Sequence, residues 1–396
     1  MFCSAKESSQ QSLVLKRNLR RDVLRGDPWL YKDSLVTPKG IRKSSLLKMY
    51  DSKKEFVAWV IFDPDSDIAA RVLSTDKKKP TGELIQDRLE QALALRTSLM
   101  DRSHTNGFRL LNGEGDRLPG LVCDIYDHVA VLQCDGPGME EFWNLSEVAQ
   151  WIVTKAGVSS VVYKSRRNDV DSVVEMAGDS VSNEIEFLEN DLKFPINLQK
   201  GQKTGFFLDQ RDNRDYVRQL AREKSVLNLF SYTGGFSIYA GAGGASKVCS
   251  VDISKGALEM AERAWSLNQL PEQKHQILCV DIYPYLSENR ELWDMVIVDP
   301  PSMAHSERLK ATATEKYIDV FAKALKHVAR CGDFFASSCS SHIGFSDFEE
   351  ILRQAFGRAR RTGRVVRISG QGGDHPFPHV NQNMRYLKFV HIRLDQ

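Results

Sequence analysis

The chain has 396 residues, 42% of them hydrophobic and 27% charged, with 54 lysines and arginines against 52 acids. That length allows two or three domains with a substantial core, and the near balance of charge removes any argument for nucleic acid from net charge alone. The seven cysteines are odd in number and lack close paired spacing, which argues against a disulfide framework or a zinc cluster. No export segment is evident and no stretch reaches the length and apolarity of a transmembrane helix, so a cytoplasmic protein with no membrane role is expected.

In chain order, Leu13 to Val72 holds short apolar runs between polar turns, which predicts a mostly β unit with a helical start near Asn18 to Leu24. Three basic clusters lie in or beside it: Lys16, Arg17, Arg20, Arg21 and Arg25, then Lys39, Arg42 and Lys43, then Lys77 to Lys79. Such clusters could attract phosphate, although scattered surface charge is the commoner explanation; the first suits either equally well. Ile85 to Asp101 has helical spacing, with Leu89, Ala92 and Leu93 inward and Glu90 and Arg96 toward water. A turn and hairpin over 113–133, a helix from Glu141 to Ala156, an extended run from Ser159 to Lys164 and a hairpin from Glu184 to Pro195 make a second, mixed α/β unit. After Gln199, a helix over 208–223 precedes alternating strands and helices, which implies a mainly parallel sheet covered on both faces. Functional groups should then gather at the carboxyl ends of the strands.

Four such ends stand out. V-L-N-L-F-S-Y-T-G-G places a glycine turn directly after a strand, from Asn228 to Gly235, where backbone amides can approach a polar ligand. The loop lacks the G-x-G-x-x-G pattern and a phosphate-loop lysine, and a packing turn alone would also explain its glycines. Asp252 ends the next strand, where a carboxylate can accept from both ribose hydroxyls, and Asp281 follows I-L-C-V, where it can accept from an adenine amino group. Together they favour an adenosine-containing ligand. D-P-P at Asp299 to Pro301 and S-C-S at Ser338 to Ser340 complete the set.

G-Q-K-T-G-F-F-L-D-Q-R-D-N-R, L-N-L-F-S-Y-T-G-G-F, D-P-P and S-C-S, in that order, resemble the bacterial family of 23S ribosomal RNA cytosine-C5 methyltransferases over nearly the whole chain. The resemblance implies a PUA-like RNA-binding β domain over 1–84, a central mixed α/β domain over 85–196, and a Rossmann-like class I methyltransferase domain over 197–396. It implies S-adenosylmethionine as cofactor, with Asn228, Phe230, Ser231 and Gly234 on its methionine side, Asp252 at the ribose and Asp281 near the adenine. Lys203, Thr204, Phe206 and Arg211 would lie on the approach to cofactor and target base, although Lys203 or Arg211 could instead pair with Asp209 or an RNA phosphate. The implied partner is large-subunit ribosomal RNA, and a homodimer is among the expectations.

Methylation at cytosine C5 calls for a nucleophile at C6, because C5 alone is too weak toward a methyl sulfonium. In the resembling family Cys339 has that task. Asp299 could accept from the exocyclic amine or stabilise a protonated ring nitrogen, or serve as a helix cap or ion-pair partner; Pro300 helps hold the base pocket open. Ser302 departs from the lysine that commonly follows D-P-P in the family. His305, His342 and His375 are acid–base candidates whose default is a surface or structural place, and no His/Cys/Asp grouping compels a metal. Methylation of a guanine or adenine amino group, which needs no Cys339, and a noncatalytic RNA-binding assembly role remain open; a dehydrogenase is weaker for want of the dinucleotide glycines.

Overall fold

The computed structural model describes residues 2–3, 11–167, 170–304 and 306–395. The chain divides into two units: the first comprises Met1–Phe187, Asn197–Gly205 and Gly373–Asn381, the second Leu188–Ile196, Phe206–Gly372 and Gln382–Gln396.

The first unit holds two sheets. A six-stranded sheet runs in the order Trp29–Leu30, Ala70–Ser74, Phe56–Phe62, Ser45–Tyr50, Ser12–Leu15 and Leu35–Val36. Its central strand, F-V-A-W-V-I-F, is buried at every position after Phe56. A five-stranded sheet pairs Val170–Gly178, Ser160–Arg167, Val129–Cys134, Leu121–Tyr126 and Gly107–Asn112. Trp59, Ile61 and Leu73 share one apolar cluster with Leu89, Leu110, Ile125 and Ile152.

Two expectations change here. The helix over Gly82–Leu99 buries Leu89 and Ala92 as read, but Arg96, expected in water, is 1% exposed. Its guanidinium forks onto Asp116 at 2.5 and 2.9 Å and reaches the carbonyls of Arg109 and Asp374 at 2.8 and 2.7 Å. A buried arginine persists where a carboxylate and carbonyls satisfy it. The helix expected from Glu141 to Ala156 is two pieces, Pro137–Phe142 and Leu145–Lys155. Asn144 cuts it, because its side chain accepts the Glu147 amide and starts the second piece, a cap of about 1 kcal/mol.

The second unit is built on seven strands: β1 Ser225–Leu229, β2 Lys247–Asp252, β3 His275–Cys279, β4 Trp293–Val298, β5 Val328–Ser338, β6 Gly363–Ser369 and β7 Lys388–Leu394. Their spatial order is β3-β2-β1-β4-β5-β7-β6. β1 to β5 pair in parallel, while β7 runs antiparallel to both neighbours. The helices are α1 Arg211–Leu220, α2 Gly235–Ala242, α3 Lys255–Leu267, α4 Ile282–Glu288, α5 Lys310–Ala324 and α6 Phe345–Ala359. A short 3₁₀ turn at Leu208–Gln210 takes the front of the expected 208–223 helix. β1, β2 and β4 read as near-continuous apolar runs because both faces of a parallel sheet are covered there, while the edge strand β3 stays partly exposed. The chain order reverses between β1 and β4, which opens a crevice at their carboxyl ends. Among the described residues no helix is long and apolar enough to cross a membrane.

Candidate active site

At the exit of β1 the backbone takes three left-handed steps: Phe230 at φ 57°, Tyr232 at 47° and Gly234 at 75°. Such torsions cost energy in non-glycine residues and persist only where the surroundings impose them. Here the Ser231 amide donates to the Val251 carbonyl at 3.1 Å and the Tyr232 amide to Asp252 Oδ2 at 2.8 Å. Gly234 has no alternative, since a Cβ there would lie 2.7 Å from Ala261 Cβ on α3. The loop encloses unpaired polar atoms: Ser231 Oγ, Thr233 Oγ1 and Asn228 Oδ1 are buried without a hydrogen-bond partner. Asn228 is fully buried and its amide donates to Ser237 Oγ at 2.9 Å, so only its oxygen is left over. Leaving such groups unmet costs about 1–3 kcal/mol each, which a polar ligand would recover.

Asp252 ends β2 with its other oxygen accepting the Ser254 amide at 2.9 Å. Each carboxylate oxygen retains a lone pair for a further donor. The Val280 amide donates to the Asp252 carbonyl at 3.1 Å, so the ends of β2 and β3 meet. Asp281 then caps α4 through the Tyr283 amide at 2.8 Å. Beside the two acids the apolar side chains of Ile253 and Val280 are 72% and 40% exposed. Sequence reading passed over both, although an apolar residue next to each acid was visible. Carboxylates edged by bare apolar faces suit a diol and a flat ring.

The register of β4 with β5 sets Val298 opposite Ala336. Asp299 is therefore level with Ser337, and Cys339 follows just beyond, about 5 Å being the spacing of adjacent strands. Gln210 ties this corner together: its amide donates to Asp299 Oδ2 at 3.0 Å and Ser337 Oγ at 2.9 Å, and its oxygen accepts from Asn213 at 2.7 Å. Asp299 keeps some exposure as a residue, but its carboxyl lies between Gln210 and Ser337, and burial, with the nearby Asp209, pushes it up to about 6. Pro300 is buried and Pro301 exposed.

Beyond the prolines, Ser340 Oγ gathers Ser302 Oγ at 3.0 Å, the amides of Met303 and Ala304 at 3.2 and 3.4 Å, and Tyr317 OH at 2.9 Å. Cys339 thus sits, half-buried, between two buried serines that pin the two strand exits together. Lys388, opposite Ser338 on β7, is completely buried and donates to the carbonyls of Ser340 and Tyr386 at 2.6 and 2.7 Å. Burial lowers its amine to about 8, against the attraction of Cys339 and Asp347. Ser302 carries no charge, and the nearby cation is instead the buried Lys388 ammonium, bonded to the carbonyl of Ser340 next to Cys339 in the chain. The signal available for Lys388 was a lone lysine heading the apolar run K-F-V-H-I.

The G-Q-K-T-G-F-F-L-D-Q-R-D-N-R stretch from Gly201 to Arg214 divides between the units. Lys203 is exposed and Thr204 is buried in the first unit, bonded to Asp124 Oδ2 at 2.5 Å and Tyr126 OH at 2.9 Å. In the second unit Phe206 packs on Phe194 and under the Arg214 guanidinium, and Arg211 is only 3% exposed. Arg214 itself forks onto buried Glu189 at 2.9 and 2.8 Å. His375, an acid–base candidate, is buried in the first unit beside Asp374. His342 lies 3.6 Å from Glu307, and His305 lies outside the described residues.

A family model described as S-adenosylmethionine-dependent methyltransferase matches residues 137–359, and a PUA-like domain model matches 13–75. A Ribosomal RNA large subunit methyltransferase of Deinococcus radiodurans is 33% identical over the full length of both chains. A Ribosomal RNA large subunit methyltransferase I of Alteromonas mediterranea is 31% identical, covering 95% of this chain and 97% of its own. In fold, the chain is similar to a Streptococcus mutans protein assigned as a SAM-dependent methyltransferase, with TM-score 0.85 at 22% identity over 96% and 99% of the two chains. It is equally similar to a protein assigned as a methyltransferase and solved in complex with SAH, with TM-score 0.86 at 22% identity over the same shares. With an N-terminal PUA-like domain ahead of its sheet, this chain belongs to the S-adenosylmethionine-dependent methyltransferases, in the family of the ribosomal RNA large subunit methyltransferases.

Proposed function

We propose that the protein methylates C5 of cytosine in large-subunit ribosomal RNA, working in the cytoplasm. The curated relatives supply the RNA class, and the observation that carries the choice of atom is the adjacency of Asp299 and Cys339 at neighbouring strand ends. S-adenosylmethionine, when bound, supplies an electrophilic methyl on a positively charged sulfur. Ser231, Gly234, Phe230 and the Asn228 oxygen would hold its amino-acid end, Asp252 its ribose and Asp281 its adenine, with Ile253 and Val280 covering the ring. The buried unpaired atoms and bare apolar faces fit that group.

The Cys339 thiolate forms a bond to cytosine C6, and the C5–C6 π pair becomes available at C5. Asp299, with a carboxyl near 6, carries a proton in part of the population at neutral pH and donates to the ring nitrogen, or as carboxylate accepts from the exocyclic amine; either favours addition. The Lys388 ammonium favours the thiolate over the thiol. Once C5 has gained its methyl, loss of the C5 proton to a base and departure of the Cys339 sulfur restore the aromatic ring. Phe206, Arg211 and Pro300 would shape the approach of the base, Phe206 and Arg211 from buried positions. A base inside a folded RNA must leave its stack to reach this corner.

Transfer of a radiolabelled methyl to total RNA, followed by nuclease digestion and nucleoside separation, tests cofactor, polymer and atom together. Label in 5-methylcytidine is the expected result. Label in a methylated guanosine or adenosine amino group would replace the reading.

A further inference from the structure

The first unit contains a cleft of about 630 Å³ that the methyl-transfer chemistry does not use. Arg88, on the helix over Gly82–Leu99, lines it and is only 7% exposed. One amine of its guanidinium donates to the Arg117 carbonyl at 2.6 Å, while its Nε is buried with no hydrogen-bond partner. No carboxylate among the described residues pairs with it. Its charged neighbour in the cleft is Arg117, another cation, and burial and that like charge together lower Arg88 to about 10.

The two acids on the cleft wall are already committed. Glu114 pairs with Arg71 and accepts from Trp29 Nε1 at 2.8 Å. Asp76 is exposed and holds the Lys78 amide at 2.9 Å. Arg96, about 12 Å of helix rise further along in the same element, shows the alternative, since it is buried and fully met by Asp116. A buried guanidinium left without its anion is costly. A cleft this size beside it offers the missing partner a seat.

We propose that the Arg88–Arg117 cleft is a phosphate-binding site that takes one backbone phosphodiester of the RNA substrate. The planar donor fork of arginine matches two phosphate oxygens, Ser74 on the cleft wall adds a hydroxyl, and the exposed Lys77 to Lys79 run follows directly in the chain. The inference rests on the RNA reading above and adds where the polymer is gripped.

The test measures binding of protein-free large-subunit ribosomal RNA to the full chain across a potassium chloride series, for wild type, Arg88→Met, Arg88→Lys and Arg117→Gln, with a thermal melt of each. Arg88→Met is expected to bind about tenfold more weakly at low salt and to lower the slope of log affinity against log salt by about one, as for a lost phosphate contact. Arg88→Lys should recover part of that loss, and the Arg88→Met melt should be no lower than wild type, because an unmatched buried charge has been removed. Wild-type affinity and slope in folded Arg88→Met would overturn the site while leaving the RNA reading intact. If Arg88→Met does not fold, unchanged binding by the exposed Arg117→Gln overturns it equally. Stabilisation of the protein by inorganic phosphate without any change in RNA affinity between variants would assign the cleft to a small phosphate and also overturn the proposal. Wild type that binds no RNA would remove both this site and the reading beneath it.

Discussion

The two ends of the seven-stranded sheet treat their acids in opposite ways. Near the amino ends, Asp333 on β5 lies level with Met295 and meets Lys224 at 2.6 Å, His391 at 2.8 Å and Arg393 at 2.5 Å. Burial works to raise its carboxyl, but those partners outweigh it and hold the group below the usual range. At the carboxyl ends, Asp299 has Gln210 and Ser337 but no paired cation among the described residues, and burial raises it to about 6. There too lie the unmatched oxygens of Asn228, Ser231 and Thr233. One end has its polar groups matched inside the protein and serves stability; the other leaves them for something that binds.

The hardest way to break that contrast is to remove the sulfur. Cys339→Ala should lower methyl transfer by more than about a thousandfold, since nucleophilic catalysis is lost outright, while the melting temperature changes little. RNA containing 5-fluorocytosine should form a covalent adduct with wild type, visible as a shifted band under denaturing conditions, and none with the variant. Full activity in Cys339→Ala would end the C5 mechanism.

At the opposite end, Asp333→Ala should behave in reverse. It strands a buried His391 and two cations, so a loss of about 3 kcal/mol in a denaturant titration is expected, with turnover per folded molecule unchanged. Because the native carboxyl is depressed, its contribution is present above the unfolded value and is lost as pH falls through the native one. A large effect on turnover from this variant would show that the two ends are not separable.

The strands that carry this contrast were readable from local pattern. V-L-N-L-F, K-V-C-S-V-D and W-D-M-V-I-V are buried runs closed by glycine, acid or proline, and each is a strand where expected. Partners far apart in the chain were not readable. Gln210 reaches Asp299 and Ser337 across 89 and 127 residues, and Arg96 reaches Asp374 across 278. No periodicity encodes such pairings; the first follow from the side-by-side pairing of β4 and β5, the last from the return of the Gly373–Asn381 segment to the first unit. That return also takes His375 into a buried place beside Asp374. Local propensity likewise missed the Asn144 cap, because a helix-spaced run looks continuous until one side chain bonds back to the backbone.

Asp299→Asn sharpens the comparison through pH. The substitution keeps the shape but removes the proton, and methyl transfer should fall about a hundredfold. Stability should move the other way. A carboxyl raised from 3.8 to about 6 makes the native state bind the proton more tightly than the unfolded chain, so wild type loses stability as pH rises between those values, by at most about 3 kcal/mol. Asparagine has no such loss. Melts should therefore show the variant more stable than wild type at pH 7 and the gap closing toward pH 4; a gap independent of pH would contradict the raised carboxyl.

The smallest effect belongs to Lys388→Met. Methionine fills similar space in the apolar run and removes a buried amine already lowered to about 8, so folding should survive, with two carbonyls losing a donor. What changes is the field at Cys339. Without the nearby cation the thiol gives up its proton less readily, and methyl transfer should fall about tenfold at neutral pH, with the rise in rate displaced to higher pH. A purely structural lysine would lower the rate equally at every pH and leave the profile in place. Recovery of most of the rate at pH 9 would tie Lys388 to the thiolate, whereas a parallel, unshifted profile would return it to the matched, stabilising part of the sheet.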